Sequence, residues 1–261
     1  MKKMLLLICF LGLVASPAPA HFHMLLPDRH AVKRGETVGF VYQFGHPFEH
    51  ELAITQKPTA LFVVGPDGAK TDLLPMLAEE SREGEPGKKV RMFTFSFTPQ
   101  KRGDHTLVAI SPELPGEGKE PPTRAVTKVV LHVQTQNGWD NRALTEGANA
   151  VELSPLTRPY GLLPGVAFLA EADEPAQSAG DRKPLAGLEM EVERYNSKPP
   201  AELPADEHVT GTGRTTRAGS ALANLTAAGW WGVTASRERD KVLHRCTLWV
   251  YVEAQAAAAG K

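Results

Sequence analysis

Two separated segments of the chain place an apolar residue at every second position. They are TVGFVYQF at residues 37–44 and RMFTFSF at residues 91–97. Successive side chains of a β-strand point to opposite faces of the sheet, so each segment has one apolar face and one polar face. Both are therefore predicted to be half-buried strands, and a chain built from such strands folds by packing one sheet against another.

Other segments of the N-terminal half have the same character. Residues 60–64 (ALFVV) lead into a Gly-Pro-Asp-Gly turn, and residues 105–110 (HTLVAI) and 125–133 (AVTKVVLHV) each follow a connection rich in Gly or Pro. Between His21 and Val133 we count about seven short strands and no helical period of useful length. This pattern predicts an immunoglobulin-like β-sandwich.

The rest of the chain predicts a second β-domain, so that the fold class is all-β. Leu188, Met190 and Val192 alternate with glutamates in LEMEVE, and a polar stretch before them, QTQNGWDNRALTEGAN at residues 134–149, has the composition of a connection. The predicted divisions are a signal segment 1–20, an immunoglobulin-like domain 21–135, a linker 136–149, a second β-sandwich domain 150–254 and a tail 255–261.

The first twenty residues have the composition of a secretory signal. Lys2 and Lys3 precede the apolar run Met4–Val14, and Ala18-Pro19-Ala20 has the small-x-small form of a cleavage site. The apolar run is much shorter than the roughly 20 residues that cross a bilayer as a helix, and no later stretch is long enough. The sequence predicts an exported, periplasmic protein with no direct membrane insertion, whose mature chain begins at His21.

Charge and cysteine content limit the possible partners and the possible sources of stability. Without the two signal lysines, the 29 basic residues of the sequence become 27, against 30 acidic ones, so nothing favours nucleic acid as a partner. Cys246 would be the one cysteine of the mature chain, because Cys9 lies in the signal segment. No intrachain disulfide is expected, and the fold must depend on its apolar core.

Histidines occur at two places that this topology brings together. His21 becomes the first residue after cleavage and His23 follows it, while His46 and His50 enclose Glu49 in GHPFEH. If the strand that starts at the mature N-terminus pairs antiparallel with residues 37–44, the end of the second strand lies beside the start of the first. We therefore predict a transition-metal site at one end of the sandwich, with four imidazoles, the new α-amino group and the Glu49 carboxylate.

The binding mode at the new terminus stays open at this stage. The α-amino group and the imidazole of His21 can chelate one ion, or the amine, two amide nitrogens and the His23 imidazole can form a square-planar set suited to Cu²⁺ or Ni²⁺. Either mode needs unprotonated nitrogens, so binding is expected to weaken below about pH 6. His105 and His132 are expected at the opposite end of the sandwich.

The same residues allow two enzymatic interpretations. GHPFEH has the H-x-x-E-H spacing of the inverted zinc peptidases, but that motif needs a helix, and Pro47 after a strand favours a loop. A terminal histidine with a second histidine can also hold copper in the brace of lytic polysaccharide monooxygenases, although no flat aromatic face for polysaccharide is obvious. A copper carrier or copper oxidase is therefore one rival hypothesis, and a metal-free structural or adhesion module is another.

Four phrases, in this order, resemble the exported nickel-transport accessory proteins, the NikK-like and NikM-associated family. They are GHPFEH (45–50), ELSPLTRPYGLLPG (152–165), KPLAGLEMEVERYN (183–196) and AGWWGV (228–233), and the resemblance covers nearly the whole mature chain. It implies a periplasmic protein that is not an enzyme. It also implies that the second domain is similar to the transthyretin-like or collagen-adhesin B-type (CnaB) modules.

The same resemblance implies a cargo and a partner. The cargo would be Ni²⁺, or Co²⁺, as a metal ion or a small metal chelate, with Cu²⁺ as the alternative that the donor chemistry leaves open. The partner would be the membrane components of an energy-coupling-factor type nickel/cobalt transporter. The positions that match the family's histidine-rich start and its GHPFEH phrase are His21, His23, His46 and His50, with Glu49 beside them.

Overall fold

A computed structural model of the chain describes residues 21–84, 87–116, 118–134, 149–176 and 181–255. These residues form seventeen β-strands and short turns of 3₁₀ helix, with no α-helix among them. The predicted all-β fold is confirmed. The predicted signal segment, all but one residue of the predicted linker and nearly all of the predicted tail lie outside the described residues. No helix in the described part of the chain could cross a membrane.

The strands follow one another with short connections. In the N-terminal half they are β1 Phe22–Pro27, β2 Ala31–Val32, β3 Val38–His46, β4 Glu51–Ala53, β5 Ala60–Val64, β6 Lys70–Asp72, β7 Ala78–Glu83, β8 Lys89–Phe97, β9 Gly103–Ile110 and β10 Thr123–Val133. In the C-terminal half they are β11 Glu152–Pro155, β12 Val166–Asp173, β13 Glu189–Arg194, β14 Thr210–Arg214, β15 Ser220–Leu225, β16 Gly229–Arg239 and β17 Val242–Val252.

Three sheets are built from these strands. The first has the order β1-β3-β8-β7, with β4 also paired to β3, and the third has the order β11-β12-β15. The middle sheet has the order β14-β13-β16-β17-β10-β9-β5-β6, with β2 also paired to β10. Its strands β10 and β17 are parallel neighbours, from Thr123 opposite Leu243 to Val129 opposite Trp249. The middle sheet therefore takes strands from both predicted domains.

The central strands of the middle sheet, β9, β10 and β17, are buried along most of their length because both faces of the sheet are covered there. On one face, Val129 and Leu131 of β10 and Trp249 of β17 pack against the first sheet. On the other face, Val126 of β10 and Leu248 of β17 pack against the third sheet. The molecule thus consists of two β-sandwiches that share one sheet, and the predicted sandwich architecture is confirmed.

The described residues between His21 and Val133 form ten strands, so the predicted number of about seven was too low. Strands β2, β4 and β6 have only two or three residues, which is too short to produce a periodic pattern. Strand β7 (AEESRE) is exposed at every residue and has no apolar face. It forms because its backbone pairs with β8 along its whole length, and the hydrophobic pattern of a sequence does not report such pairing.

Candidate metal-binding site

His21 and His46 meet where β1 begins and β3 ends. These strands pair antiparallel, with Phe22 opposite Gly45 and His23 opposite Phe44, which confirms the predicted juxtaposition. The rings of His21 and His46 lie with their centroids 4.2 Å apart and their planes at 45°. Two imidazoles this close can reach one metal ion after rotation about their side-chain torsions.

Gly45 fixes the backbone that presents His46. Its φ is +146°, and a Cβ at this position would lie 2.1 Å from the carbonyl oxygen of Glu51. Only glycine allows β4 to come this near, with Glu51 opposite His46. The glycine that begins GHPFEH is thus required by the return of the chain from β3 to β4.

His23 lies behind this pair and is almost fully buried. A hydrogen bond of 2.8 Å joins its Nδ1 to the hydroxyl of Tyr42, and its ring packs against Phe44 at 4.6 Å between centroids. Burial, together with the charge of Arg245 and the neighbouring His21, lowers the pKa of His23 to about 3. His23 is therefore a neutral imidazole at physiological pH and adds no positive charge to this end of the sandwich.

The backbone of His23 is held from the middle sheet. Its carbonyl oxygen accepts hydrogen bonds from Thr127 Oγ1 at 3.1 Å and from Trp249 Nε1 at 3.0 Å. The carbonyl oxygen of His21 accepts a hydrogen bond from Arg245 Nη1 at 3.2 Å. Three side chains of the middle sheet thus fix the first residues of β1, and with them the position of the predicted N-terminus.

The side chain of His50 has a different neighbour from that of His46. The ring of His50 packs against Tyr195 at 5.7 Å between centroids, and burial lowers its pKa. His50 itself has a left-handed backbone, with a φ of 57°. Among the described residues, no three His, Cys, Asp or Glu side chains are grouped so that they could hold a metal ion. The structure therefore brings His21 and His46 together with His23 behind them, and it does not bring His50 or Glu49 to the same point.

The GHPFEH loop docks on the segment that contains Glu193 and Asn196. Asn196 donates from its backbone nitrogen to the Pro47 carbonyl at 3.0 Å and from its side-chain amide to the Phe48 carbonyl at 2.6 Å. The Phe48 nitrogen donates to Glu193 Oε1 at 3.1 Å. Glu193 and Asn196 belong to the phrase KPLAGLEMEVERYN, so two of the four phrases in the sequence are in direct contact. Only the fold reveals this contact, because the sequence separates the two segments widely.

Glu193 makes the docking of this loop sensitive to pH. Burial raises the pKa of its carboxyl from 4.5 to about 7, and the charges of Glu49 and Glu191 act in the same direction, while hydrogen bonds from Thr210 and Phe48 oppose the rise. A carboxyl that binds its proton more tightly in the folded state stabilises the fold at low pH. This contribution is complete below about pH 4.5 and is lost as the pH rises through about 7.

We expect Glu193→Gln to reduce the loss of stability between about pH 5 and pH 8 by about 2 kcal/mol, because an amide keeps the hydrogen bonds without ionising. Urea unfolding of the two proteins at both pH values measures this change. Glu189→Gln, at an exposed position of the same strand, is the control and should leave the pH dependence as it is. The same pH dependence in Glu193→Gln and the native protein would contradict the assignment.

Beside His21 and His23, the first sheet and the middle sheet enclose a cavity of about 280 Å³. The residues that line it are His21, Phe22, His23, Phe44, Ala53, Leu114, Pro115, Gly116, Glu120, Thr123, Ala125, Arg245 and Thr247. Arg245 is buried in this wall and forms an ion pair with Glu191. Arg245 was not among the predicted site residues, although a charged residue inside the apolar strand LHRCTLWVYV is itself a signal of a special role.

A larger groove lies elsewhere on the molecule. It has a volume of about 840 Å³, runs along the first sheet next to Tyr195 and Trp230, and has no histidine among the described residues that line it. His132 and His105 are also distant from the site. His132 pairs with Ala31 beyond the far end of β1, as predicted, and its Nδ1 lies 2.6 Å from Asp104 Oδ1. The Nδ1 of His105 lies 3.2 Å from the Gly103 carbonyl oxygen.

Fold and site together define an all-β protein of two β-sandwiches, with a histidine-lined cavity at one end. The chain belongs to the family described as Domain of unknown function (DUF4198), whose model matches residues 18–239. The description of this family names no function, so nickel transport stays a prediction. No curated protein matches the chain.

Solved structures show only distant likenesses. The D0-D1 domain of intimin is 13% identical over 89% of this chain and 100% of its own, with a TM-score of 0.24. Salmonella α2-macroglobulin reacted with methylamine is 14% identical over 91% of this chain and 15% of its own, with a TM-score of 0.26. Titin domains z1z2 in complex with telethonin are 13% identical over 92% of this chain and 100% of their own, with a TM-score of 0.22. Scores this low carry no functional conclusion.

Proposed function

We propose that this protein is an exported, periplasmic carrier of a transition metal, nickel in the first place and cobalt in the second. The ion is held by the imidazoles of His21 and His46 and by the α-amino group that signal cleavage creates on His21. The observation that supports this most strongly is the 4.2 Å separation between the two rings at the predicted terminus. The role of the protein is to deliver the bound metal to the membrane components of an energy-coupling-factor type transporter.

The proposed site includes the α-amino group of His21 because two side chains alone are too few to bind the ion tightly. Two imidazoles make a weak site, and the described residues contain no group of three metal-binding side chains. An α-amino group on the same residue as one imidazole supplies the third nitrogen and closes a chelate ring. The site would then be complete only in the processed chain.

The geometry favours this mode over the square-planar mode that the sequence left open. A square-planar set would use the backbone amides of Phe22 and His23 together with the His23 imidazole. Both residues belong to the β1–β3 ladder, and the His23 ring is buried and hydrogen-bonded to Tyr42. Freeing these groups would cost the pairing of the first residues of β1, whereas the chelate formed by the His21 amine and imidazole leaves that pairing intact.

Donor chemistry does not by itself select nickel, since nitrogen ligands generally bind Cu²⁺ more tightly than Ni²⁺. The resemblance of the four phrases to nickel-transport accessory proteins is what favours nickel. A terminal histidine facing a second imidazole also suits copper, so a copper carrier or a copper oxidase is the second candidate. Oxygen consumption by the copper-loaded protein in the presence of ascorbate would identify the oxidase.

A calorimetric titration of protein that has been exported and processed by its native route tests the proposal. We expect one Ni²⁺ per chain with a dissociation constant of about 1 μM or lower, which corresponds to ~8 kcal/mol of binding free energy. Co²⁺ should bind at the same stoichiometry. If Ni²⁺, Co²⁺ and Cu²⁺ all fail to bind, the carrier proposal is overturned and a metal-free structural module becomes the better description.

A further inference from the structure

Strand β14 forms one edge of the middle sheet. Among the described strands it pairs with β13 alone, and its residues from Gly211 to Arg214 are exposed. The backbone N–H and C=O groups along its outer side therefore face solvent. An edge of this kind can pair with a further strand that another chain supplies.

Two other edge strands carry the charges that oppose such pairing. Strand β7, at the edge of the first sheet, has four charged residues in six (AEESRE). Strand β6, at the opposite edge of the middle sheet, has two in three (KTD). Charged side chains on an edge strand keep a second strand away. Strand β14 (TGTGR) has no charged residue before Arg214 and no proline, so most of its edge lacks this protection.

The inner face of β14 leaves space beside the edge. In the β13–β14 ladder, Gly211 lies opposite Val192 and Gly213 lies opposite Met190. Both partners pack in the core between the middle sheet and the third sheet, to which the two glycines add no side chain. A pocket of about 420 Å³ opens there. Leu222 of β15, an edge strand of the third sheet, lines the pocket and is 62% exposed.

Arg214 is the one charged residue of β14. Glu189 lies opposite it in the ladder, but Arg214 donates from Nη1 to the Gly187 carbonyl oxygen at 3.1 Å. Among the described residues, no carboxylate forms an ion pair with Arg214. Its charge can therefore meet an acidic group of a second molecule.

The start of β14 carries the opposite charge. Asp206 and Glu207 stand in a turn of 3₁₀ helix directly before the strand, and both are exposed. When two β14 strands pair antiparallel about Thr212, the end of each strand lies beside the start of the other. Arg214 of each copy then comes to the acidic turn of its partner. The edge of β14 is thus complementary in charge to a second copy of itself.

From these observations we infer that the protein forms a two-fold symmetric dimer in which β14 of one copy pairs antiparallel with β14 of the other. The two middle sheets join into one continuous sheet. The pockets beside β14 face each other, so both Leu222 side chains leave water. The contacts between Arg214 and the acidic turn fix the register. This inference does not use the proposed metal function, so the two stand or fall separately.

Sedimentation velocity of tag-free, processed protein from about 1 μM to about 200 μM tests for this dimer. A pair of five-residue strands with its neighbouring side chains makes a small interface, so we expect a dissociation constant of about 20 μM. A protein that stays monomeric up to about 200 μM would overturn the inference.

Charge reversal tests whether β14 is the edge that pairs. Arg214→Glu brings like charges together at both ends of the strand pair and should weaken dimerisation at least about tenfold. Adding Asp206→Lys and Glu207→Lys to Arg214→Glu restores opposite charges and should bring the dissociation constant back to within about threefold of the native value. Arg217→Glu, in an exposed turn, makes the same change of charge and is the control. If Arg214→Glu dimerises as the native protein does, or if the lysines fail to restore the dimer, another face pairs and the inference is wrong.

Hydrogen exchange locates the contact without a mutation. Amides of β14 should exchange more slowly at about 200 μM than at about 1 μM, because pairing protects those on the outer side of the strand. Amides of the charged edge strand β7 should exchange equally at both concentrations. Equal exchange of β14 at the two concentrations, in a sample that dimerises, would contradict the inference.

Discussion

Replacing His46 with alanine should weaken Ni²⁺ binding about 100-fold or more, while replacing His50 with alanine should change it less than about threefold. His46 contacts the ring of His21, and its loss leaves only the chelate formed by the first residue. His50 packs on Tyr195 instead and is not grouped with His21. Each factor of ten in affinity corresponds to about 1.4 kcal/mol, so the expected loss for His46→Ala is ~3 kcal/mol.

The His46 and His50 variants form a matched pair because both residues come from the same six-residue phrase. Thermal unfolding of each variant without metal shows whether the fold is intact, which matters at His50 because of its left-handed backbone. Calorimetric titration with NiCl₂ then gives the two affinities. If His50→Ala loses as much affinity as His46→Ala, the ion is held by the whole GHPFEH loop and the site described above is misplaced.

The sequence predicted that His21 and His46 lie close together for a simple topological reason. Strands β1 and β3 are separated only by a short connection that contains β2, and two strands so connected tend to pair antiparallel, so the start of the first lies beside the end of the second. Together with the alternating pattern of residues 37–44, this placed His21 near His46. The prediction required no knowledge of any long-range contact.

Proximity in the sequence was a poor guide to the remaining site residues. His50 lies only four positions after His46, but the chain returns sharply at Gly45 and β4, and Glu193 and Asn196 hold the loop from Pro47 to His50. His23 is two residues after His21, but Tyr42 and Phe44 bury it. In both cases the deciding contacts are made by side chains of other segments, and the hydrophobic pattern does not report which side chains meet.

The sequence also did not predict that the two sandwiches share the middle sheet. The alternation in LEMEVE and the long apolar strands predicted two β-sandwiches, but nothing in the sequence indicated that β10 and β17 would become parallel neighbours. This pairing has a direct consequence for the site. It places Trp249 and Arg245 of the C-terminal half against the first residues of β1, where they bond to the carbonyl oxygens of His23 and His21.

The second large effect is expected at the amino terminus itself. An extension such as Gly-Ser-Gly before His21 converts the α-amino group into an amide and moves the new amine away from the two imidazoles. The His21 and His46 rings remain in place, so the change removes one nitrogen and its chelate ring. We expect Ni²⁺ affinity to fall about 30-fold or more, or ~2 kcal/mol, with no change in thermal stability in the absence of metal.

Calorimetric comparison of natively processed protein with this extended form, using NiCl₂ in both titrations, is the most direct test of the central claim that cleavage of the signal completes the metal site. Mass spectrometry must first establish that the processed protein begins at His21. The account predicts tight binding at one ion per chain in the processed form and much weaker binding in the extended form. Equal affinity in the two forms would show that the amine is not a ligand and would contradict the account.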